Sequence, residues 1–364
     1  DFVARVLADC RKASVRAAIV ITAGFGEVGD KGWTLQRELV QEARTGGITL
    51  LGPNCLGLIN PWHKLNASFG LQDTRTGHIA LVSQSGALLT AVQDLAASTH
   101  IGFSVLASIG NKAAVDEVDF LQALRSDGNT KVIAAYLENI TRGQEFMKVA
   151  ERVGKEKPVV VLKSGRTAAG AKAASSHTGS LAGADAAYAS AFHRCGVIRV
   201  DSIEHLFDVS AALANQPLPS GNRVGVITNA GGPGIMMSDA LEMLGLQAAR
   251  LDDDTARRLK ASLPPAASWR NPVDVLGDAT PEIYTTAMEI VLGCEHVDGA
   301  IVILTPQQVT DAEETARGLV RVAADSGKPV LACFMGGAAV DKGVEYLRAH
   351  GIPQYPVPER AAAA

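Results

Sequence analysis

The sequence predicts an α/β protein built from doubly wound, mostly parallel sheets. Three observations carry this. Short, continuous apolar runs such as AAIVITAG, HIALVSQSG, KVIAAYLEN, KPVVVLKSG, NRVGVITNAGG, GAIVILTP and KPVLACFMGG end at Gly, Pro or Asn, as strands buried on both faces do. Amphipathic stretches such as WTLQRELVQEARTGG and GQEFMKVAERVGKE fill the gaps between them. Aromatic residues make up only 5% against 47% hydrophobic residues overall, which favours small helix–sheet contacts over a β-sandwich.

The chain opens on DFVARVLADCRKASVRAAIVITAG, a helix leading into a strand with no strand before it. A βαβ unit needs both strands, so the expectation is that the first part of a Rossmann-like domain is missing. A boundary is expected around Pro61 to Gly77, where hydrophobic periodicity lapses, and a linker at Pro217, Pro219 and Ser220-Gly221-Asn222. A length of 364 residues suits two or three domains.

From residue 78 the chain repeats itself. HIALVSQSGALLTAV and NRVGVITNAGGPGIMM each read as strand, small-residue turn and helix. Each copy continues through KVIAAYLEN or GAIVILTP, then KPVVVLKSG or KPVLACFMGG, and closes on FHRCGVIRV or YLRAHGIPQY. Two flavodoxin-like domains are the expectation. The copies differ at one place: RTAAGAKAASSHTGSLAGAD is inserted after Gly165 in the first. It reads as a loop at the carboxyl end of a strand, the edge where open α/β sheets bind ligands, and loops of this length are commonly functional.

The net charge is −4 and no basic block exists, which argues against nucleic acid or an anionic membrane as partner. Five scattered cysteines without a CxxC pair read as reduced thiols of a cytoplasmic protein. No apolar run approaches the ~18 residues of a membrane span. Neither HExxH nor GxSxG occurs, so no metal site and no serine-hydrolase elbow is expected.

Candidate chemistry centres on His177 in SSHTGSLAG. Imidazole titrates near neutrality and serves as nucleophile or proton carrier. Gly170, Gly179 and Gly183 give that stretch mobility, and Lys163, Arg166 and Lys172 give it positive charge. The alternative is an ordinary exposed histidine. The corners SQSGA (83–87) and NAGGPG (229–234) place small residues at helix starts, whose amides suit a phosphate, or else merely pack tightly. Glu138 ends KVIAAYLE, where a carboxylate orients a neighbouring imidazole or simply faces solvent. GPNCLG (52–57) is a strand-end turn in which Asn54 is a candidate ligand donor; no base is visible beside Cys55 to make it a nucleophile.

These motifs together resemble the NDP-forming acyl-CoA synthetases, the superfamily that includes succinyl-CoA ligase. GPNCLGLIN looks like the end of the family's CoA-binding domain, LVSQSGAL and NAGGPGIMM like its two ligase domains, and KSGRTAAGAKAASSHTGSLAG like its phosphohistidine loop. VPERAAAA resembles the run leading into its ATP-grasp domain. The resemblance implies a partial Rossmann-like CoA-binding domain at 1–65, a flavodoxin-like domain with the histidine loop at 75–215 and a second at 221–360. It implies His177 as phosphoryl carrier, Glu138 as its positioning partner, and a phosphate set of Ser85, Gly86, Gly232, Gly234, Ser176, Thr178 and Gly179. Pro53, Asn54 and Cys55 fall in the CoA-binding turn. The implied reaction interconverts acyl-CoA, ADP and inorganic phosphate with carboxylate, CoA and ATP. ADP or ATP with Mg would sit on an ATP-grasp module, a separate subunit or fused domain outside this chain, which is then part of a larger, oligomeric ligase. The competing expectation is an acyl-CoA-sensing region fused to a lysine acetyltransferase.

Overall fold

The strands form where β-branched runs can be buried on both faces, and the helices cover them. A computed structural model describes residues 2–178 and 185–364, with the side chains of 174–178 outside the description. Two units appear, Asp1–Leu206 and Phe207–Ala364.

In the first unit α1 (Phe2–Lys12), β1 (Ala17–Ile19), α2 (Asp30–Gly46) and β2 (Thr49–Leu51) come first. β1 and β2 pair in parallel with Ala17 opposite Thr49, over a small core of Leu7, Val20, Leu39 and Leu50. α2 stops at Gly47, whose left-handed φ of 62° lets its amide cap the last turn. The chain continues through β3 (Gly57–Asn60), β4 (Leu65–Ser68), β5 (Thr76–Ser83), α3 (Gly86–Thr99), β6 (Phe103–Ser108), α4 (Glu117–Arg125), β7 (Val132–Leu137), α5 (Gly143–Gly154), β8 (Val159–Lys163), α6 (Ala168–Thr178), α7 (Asp185–Arg194) and β9 (Ile198–Val200). They make a seven-stranded sheet ordered β4-β3-β6-β5-β7-β8-β9. Its strands β5 to β9 are parallel. Counted from β5 they run 2-1-3-4-5, the flavodoxin-like order.

Two features of this unit depart from the sequence reading. The lapse of periodicity at 61–77 is not a passage between sheets. β3 and β4 form an antiparallel hairpin, and β3 pairs antiparallel with β6, so 57–68 already belongs to the larger sheet. The lapse arises because the hairpin is an edge, half exposed, where alternation is weak. Likewise the stretch read as a loop is helical over Ala168–Thr178. Its alanines are the strongest helix formers, and Thr167 caps it: its Oγ1 accepts from Gly170 N at 3.1 Å and its carbonyl from Ala171 N at 2.7 Å. Gly179 and Gly183 lie outside the described residues.

The second unit takes in most of α8 (Ile203–Asn215), then β10 (Arg223–Thr228), α9 (Gly231–Met243), β11 (Gln247–Ala248), α10 (Asp253–Ser262), β12 (Val273–Asp274), α11 (Pro281–Leu292), β13 (Gly299–Leu304), α12 (Ala312–Ser326), β14 (Val330–Phe334), α13 (Asp341–Ala349) and α14 (Pro358–Ala363). The order β11-β10-β13-β14 is parallel, β12 pairs β10 further along, and a bridge from Ala332 to Gln354 extends the sheet past β14. This is the same winding as in the first unit. From Phe207 onward α8 belongs here: Arg360 pairs with Asp208 at 2.8 Å, and the Tyr355 hydroxyl donates to Asp208 O. Among the described residues no helix is long and apolar enough to cross a membrane, and no three His, Cys, Asp or Glu converge on one ion.

Candidate functional site

The carboxyl ends of β5, β6 and β7 meet at a cavity of about 240 Å³, lined by Trp33, Gln36, Asn54, Gln84, Gly110–Ala113, Glu138, Asn139 and Thr141. Parallel strands leave their last residues splayed at this edge, so side chains from distant segments converge there.

At the end of β5 the chain turns sharply into α3. Ser83 Oγ donates to Ser85 O at 2.7 Å and accepts from Ser85 N at 3.1 Å. Ser85 is the N-cap, its Oγ accepting from Leu88 N at 3.2 Å. The Ser85 amide is therefore already used, while its hydroxyl, which accepts from Leu88 N, keeps a hydrogen to donate. The first-turn amides without an intrahelical acceptor are those of Gly86 and Ala87. Gly86 is small for a reason: a Cβ there would lie 3.3 Å from Leu56 Cβ.

The corner in the second unit repeats these bonds. Thr228 Oγ1 donates to Ala230 O at 2.9 Å and accepts from Ala230 N at 3.1 Å, with α9 next in the chain. Gly234 does not play the expected role: its amide is the first to close the helix, bonding Ala230 O at 3.3 Å. Its lack of a Cβ serves packing, since one would lie 3.2 Å from Thr228 Cγ2. Pro233 has no N–H, leaving Gly231 and Gly232 as the available donors. The Asp274 carboxylate also stands at this corner, 3.7 Å from where a Gly231 Cβ would be. An anion is therefore less welcome here than at the first corner.

Glu138 follows β7 and is 7% exposed. Tyr136 stands two residues earlier on the same strand face; burial raises its pKa, Ser164 acts against the rise and Glu138 adds to it. Lys112 donates to Glu117 Oε2 at 3.0 Å and to Asn139 O at 2.9 Å. Burial pushes the Glu117 carboxyl up, with the Lys112 charge pulling the other way. Lys163, 1% exposed, lies 4.4 Å over the Tyr188 ring and donates to Ser164 O. Burial lowers its pKa.

Of the cations expected to surround His177, Lys163 thus points into the protein, and Arg166 is engaged by Asp185 and Asp201. His177, Ser176 and Thr178 sit in the last turn of α6, their side chains among those not described; Gly179 is outside the described residues.

The 52–57 turn divides. Asn54 lines the cavity and donates to Asn111 Oδ1 at 3.2 Å. Asn111 in turn donates to Gln36 Oε1 at 3.0 Å and to Glu27. Burial would raise the Glu27 carboxyl, but Asn111 and the amides of Gly24 and Phe25 outweigh it and lower it. Cys55 faces inward, its thiol donating to Val20 O at 3.4 Å, and burial pushes it up to about 11. Pro53 offers its carbonyl to Asn111 N at 3.0 Å. Gln84, Asn111, Lys112 and Tyr136 join the site although no spacing announces them. Their one signal is position at or near a strand's carboxyl end.

The comparisons with known proteins agree with this architecture. Residues 76–213 match the succinyl-CoA ligase like flavodoxin domain, and residues 224–364 the ligase-CoA domain. The acetate–CoA ligase [ADP-forming] I of Archaeoglobus fulgidus is 44% identical over all of this chain, which spans 52% of it. The acetate–CoA ligase [ADP-forming] I subunit alpha of Pyrococcus furiosus is 41% identical over 99% of the chain, covering 78% of that subunit. Among solved structures, the Ca. Korarchaeum cryptofilum dinucleotide forming acetyl-coenzyme A synthetase 1, in complex with phosphate and ADP, superposes with a TM-score of 0.95 at 41% identity, over 99% of this chain and 78% of that one. The chain belongs to the ADP-forming acyl-CoA ligase family, within its alpha-subunit region. It spans about half the length of the Archaeoglobus fulgidus relative and about four-fifths of the Pyrococcus furiosus alpha subunit.

Proposed function

We propose that this chain is the phosphohistidine-bearing part of an ADP-forming acyl-CoA ligase. The observation that carries the reading is SSHTGSLAG on a flavodoxin-like sheet of this family, with Glu138 at the carboxyl end of the adjoining strand. Inorganic phosphate attacks an acyl-CoA thioester: a C–O bond forms, the C–S bond breaks, and CoA leaves with an acyl phosphate remaining. The phosphoryl group then passes to His177. The P–O bond to the acyl oxygen breaks with its electron pair on the departing carboxylate, and a P–N bond forms. Last, ADP takes the phosphoryl group to give ATP.

Each residue has a task set by charge. Phosphoryl transfer is mainly positioning and charge stabilisation. Glu138 steadies the ring as it becomes positive, by accepting its remaining N–H. The Gly86 amide offers a donor to the phosphoryl oxygens, with Ser176, Thr178 and Gly179 beside the histidine in sequence; Gly232 offers the equivalent donor at the corner of its own unit. Ser85 acts by holding the α3 corner, and Gly234 by letting the second corner close. Pro53, Asn54 and Cys55 belong to the CoA-binding part, which gives way to the larger sheet at β3. Asn54 is the member whose side chain reaches the cavity, while Cys55 shapes the turn from within. The first corner stands in the unit that ends at Leu206 and the second in the unit that begins at Phe207. ADP or ATP with Mg belongs to an ATP-grasp partner, subunit or fused domain, and no step here is assigned to the metal. A cytoplasmic, oligomeric enzyme completes the reading. Among the relatives above all are ligases or synthetases, and no observation favours acyl-CoA sensing.

The test is direct. The protein, incubated with its ATP-grasp partner, Mg and γ-labelled ATP, acquires an acid-labile label, and His177→Ala acquires none. An unlabelled wild type, or equal labelling of both, overturns the proposal.

A further inference from the structure

Gln84 lies inside the SQSGA corner, and its side chain makes three hydrogen bonds across 54 and 55 residues of sequence. Its Oε1 accepts from Glu138 N at 2.6 Å and Asn139 N at 3.0 Å, and its Nε2 donates to Asn139 Oδ1 at 3.0 Å. The side chain runs from the end of β5 to the end of β7 and is 7% exposed. Lys112 holds the next carbonyl, Asn139 O, at 2.9 Å. The dipeptide that carries the Glu138 carboxylate is thus fixed at both its amides and its far carbonyl.

The second unit makes the corresponding tie. Asn229 Oδ1 accepts from Thr305 N at 2.8 Å, and its Nδ2 donates to Thr305 O at 2.8 Å. A cross-strand amide at this place is therefore common to both copies. In the first it is one methylene longer, it spans two consecutive amides, and the residue it ties bears a carboxylate. Where the second copy needs only a closed strand end, the first has tied down a charge.

We propose that Gln84 is a positioning residue for phosphoryl transfer to His177, acting through the backbone of Glu138. This rests on the phosphohistidine reading above. As the P–N bond forms and the carboxylate leaves, positive charge develops on the imidazole, and its stabilisation depends on where the Glu138 oxygens stand. Freed from Gln84, Glu138 and Asn139 lose the acceptor that sets their position, and a misplacement of ~1 Å in such a group costs up to ~100-fold in rate.

The experiment uses the full protein with ³²P-acetyl phosphate as donor, following acid-labile label against time at several donor concentrations. Wild type, Gln84→Ala, Gln84→Asn, Glu138→Gln and the Gln84→Ala/Glu138→Gln pair are compared, with folding checked by circular dichroism. Both Gln84 variants are expected to label ~10- to 100-fold more slowly, with KM for acetyl phosphate within about two-fold and the final extent of labelling unchanged. The double variant is expected to be no slower than Glu138→Gln alone, because the residue through which Gln84 acts has already lost its charge. Gln84→Asn, with the side chain found in the second copy, keeps the test open should Gln84→Ala misfold. Wild-type rates in both Gln84 variants, or an equal further slowing in the Glu138→Gln background, overturn the inference. A wild type that takes no label at His177 overturns the reading beneath it instead.

Discussion

At the scale of single residues, burial sets the chemistry more than residue type does. The five cysteines illustrate it. Cys55, Cys195, Cys294 and Cys333 are buried and Cys10 is half-buried. Burial pushes Cys55 up to about 11 and Cys333 up to about 12. At pH 8 the Cys55 thiolate is then about one part in a thousand, and the thiolate is the reactive species. A chromogenic thiol reagent at pH 8 is expected to modify one cysteine per chain quickly, Cys10, and the other four only after denaturant is added. Several fast thiols in the native protein would contradict this burial pattern. The same reasoning separates the candidates at the site. Asn54 reaches the cavity while its neighbour Cys55 does not, and Gly86 keeps an available amide where Gly234 has spent its own. Sequence marks Asn54 and Cys55 alike for the CoA-binding turn and Gly86 and Gly234 alike for the phosphate set; burial sorts the first pair and hydrogen-bond closure the second.

At the scale of elements, α4 shows how a helix start is coupled to a neighbour. Asp116 caps it, its Oδ1 accepting from Val118 N at 2.8 Å, and Asp119 Oδ2 returns the bond to Asp116 N at 3.0 Å. Arg142, from the start of α5, grips both carboxylates, reaching Asp116 Oδ2 at 2.6 Å. Burial would raise the Asp116 carboxyl, but Arg142 and the Val118 amide outweigh it and hold it below the usual carboxylate range. A depressed carboxylate stabilises the fold above its unfolded pKa of about 3.9 and loses that contribution as pH falls through the folded value. Asp116→Asn keeps a cap but loses the charge. It is expected to cost about 1–2 kcal/mol at pH 7, with the gap to wild type narrowing as urea denaturation is repeated toward pH 3. A gap that stays constant with pH would remove the ion pair from the account. At this scale the long buried parallel strands and most helices were legible, because periodicities of 2 and 3.6 are local, while short edge strands such as β3 and β4 were not. α6 was not: its Ala-rich run reads as a soft loop when serine and glycine are weighed, and as a helix when propensity and the Thr167 cap are.

At the scale of the whole chain, the duplication is visible twice: once as sequence repeat, and again as the same strand order and the same corner hydrogen bonds. The limit between the two units is where sequence and structure part. Pro217, Pro219 and Ser220-Gly221 look like the linker, yet α8 is already held by the second unit from Phe207. Tyr355, 1% exposed, donates to Asp208 O at 3.1 Å, and Gln216 Oε1 accepts from Val330 N at 2.9 Å. A fragment covering 207–364 is expected to unfold in one cooperative transition. One covering 221–364, with Tyr355 and Val330 N stripped of these partners, should melt about 10 °C lower, from a loss of ~3 kcal/mol. Equal melting temperatures would place the boundary back at the prolines.

The sequence by itself determined the α/β class, the repeat, and the stretch around His177, since each is written in patterns a few residues long. The tertiary structure decided the rest: that 57–68 joins the larger sheet, that α8 belongs with the second unit from Phe207, which corner amides remain unpaired, and that Gln84 reaches Glu138. These depend on partners dozens of residues away, and only the register of the folded sheet brings such partners within 3 Å.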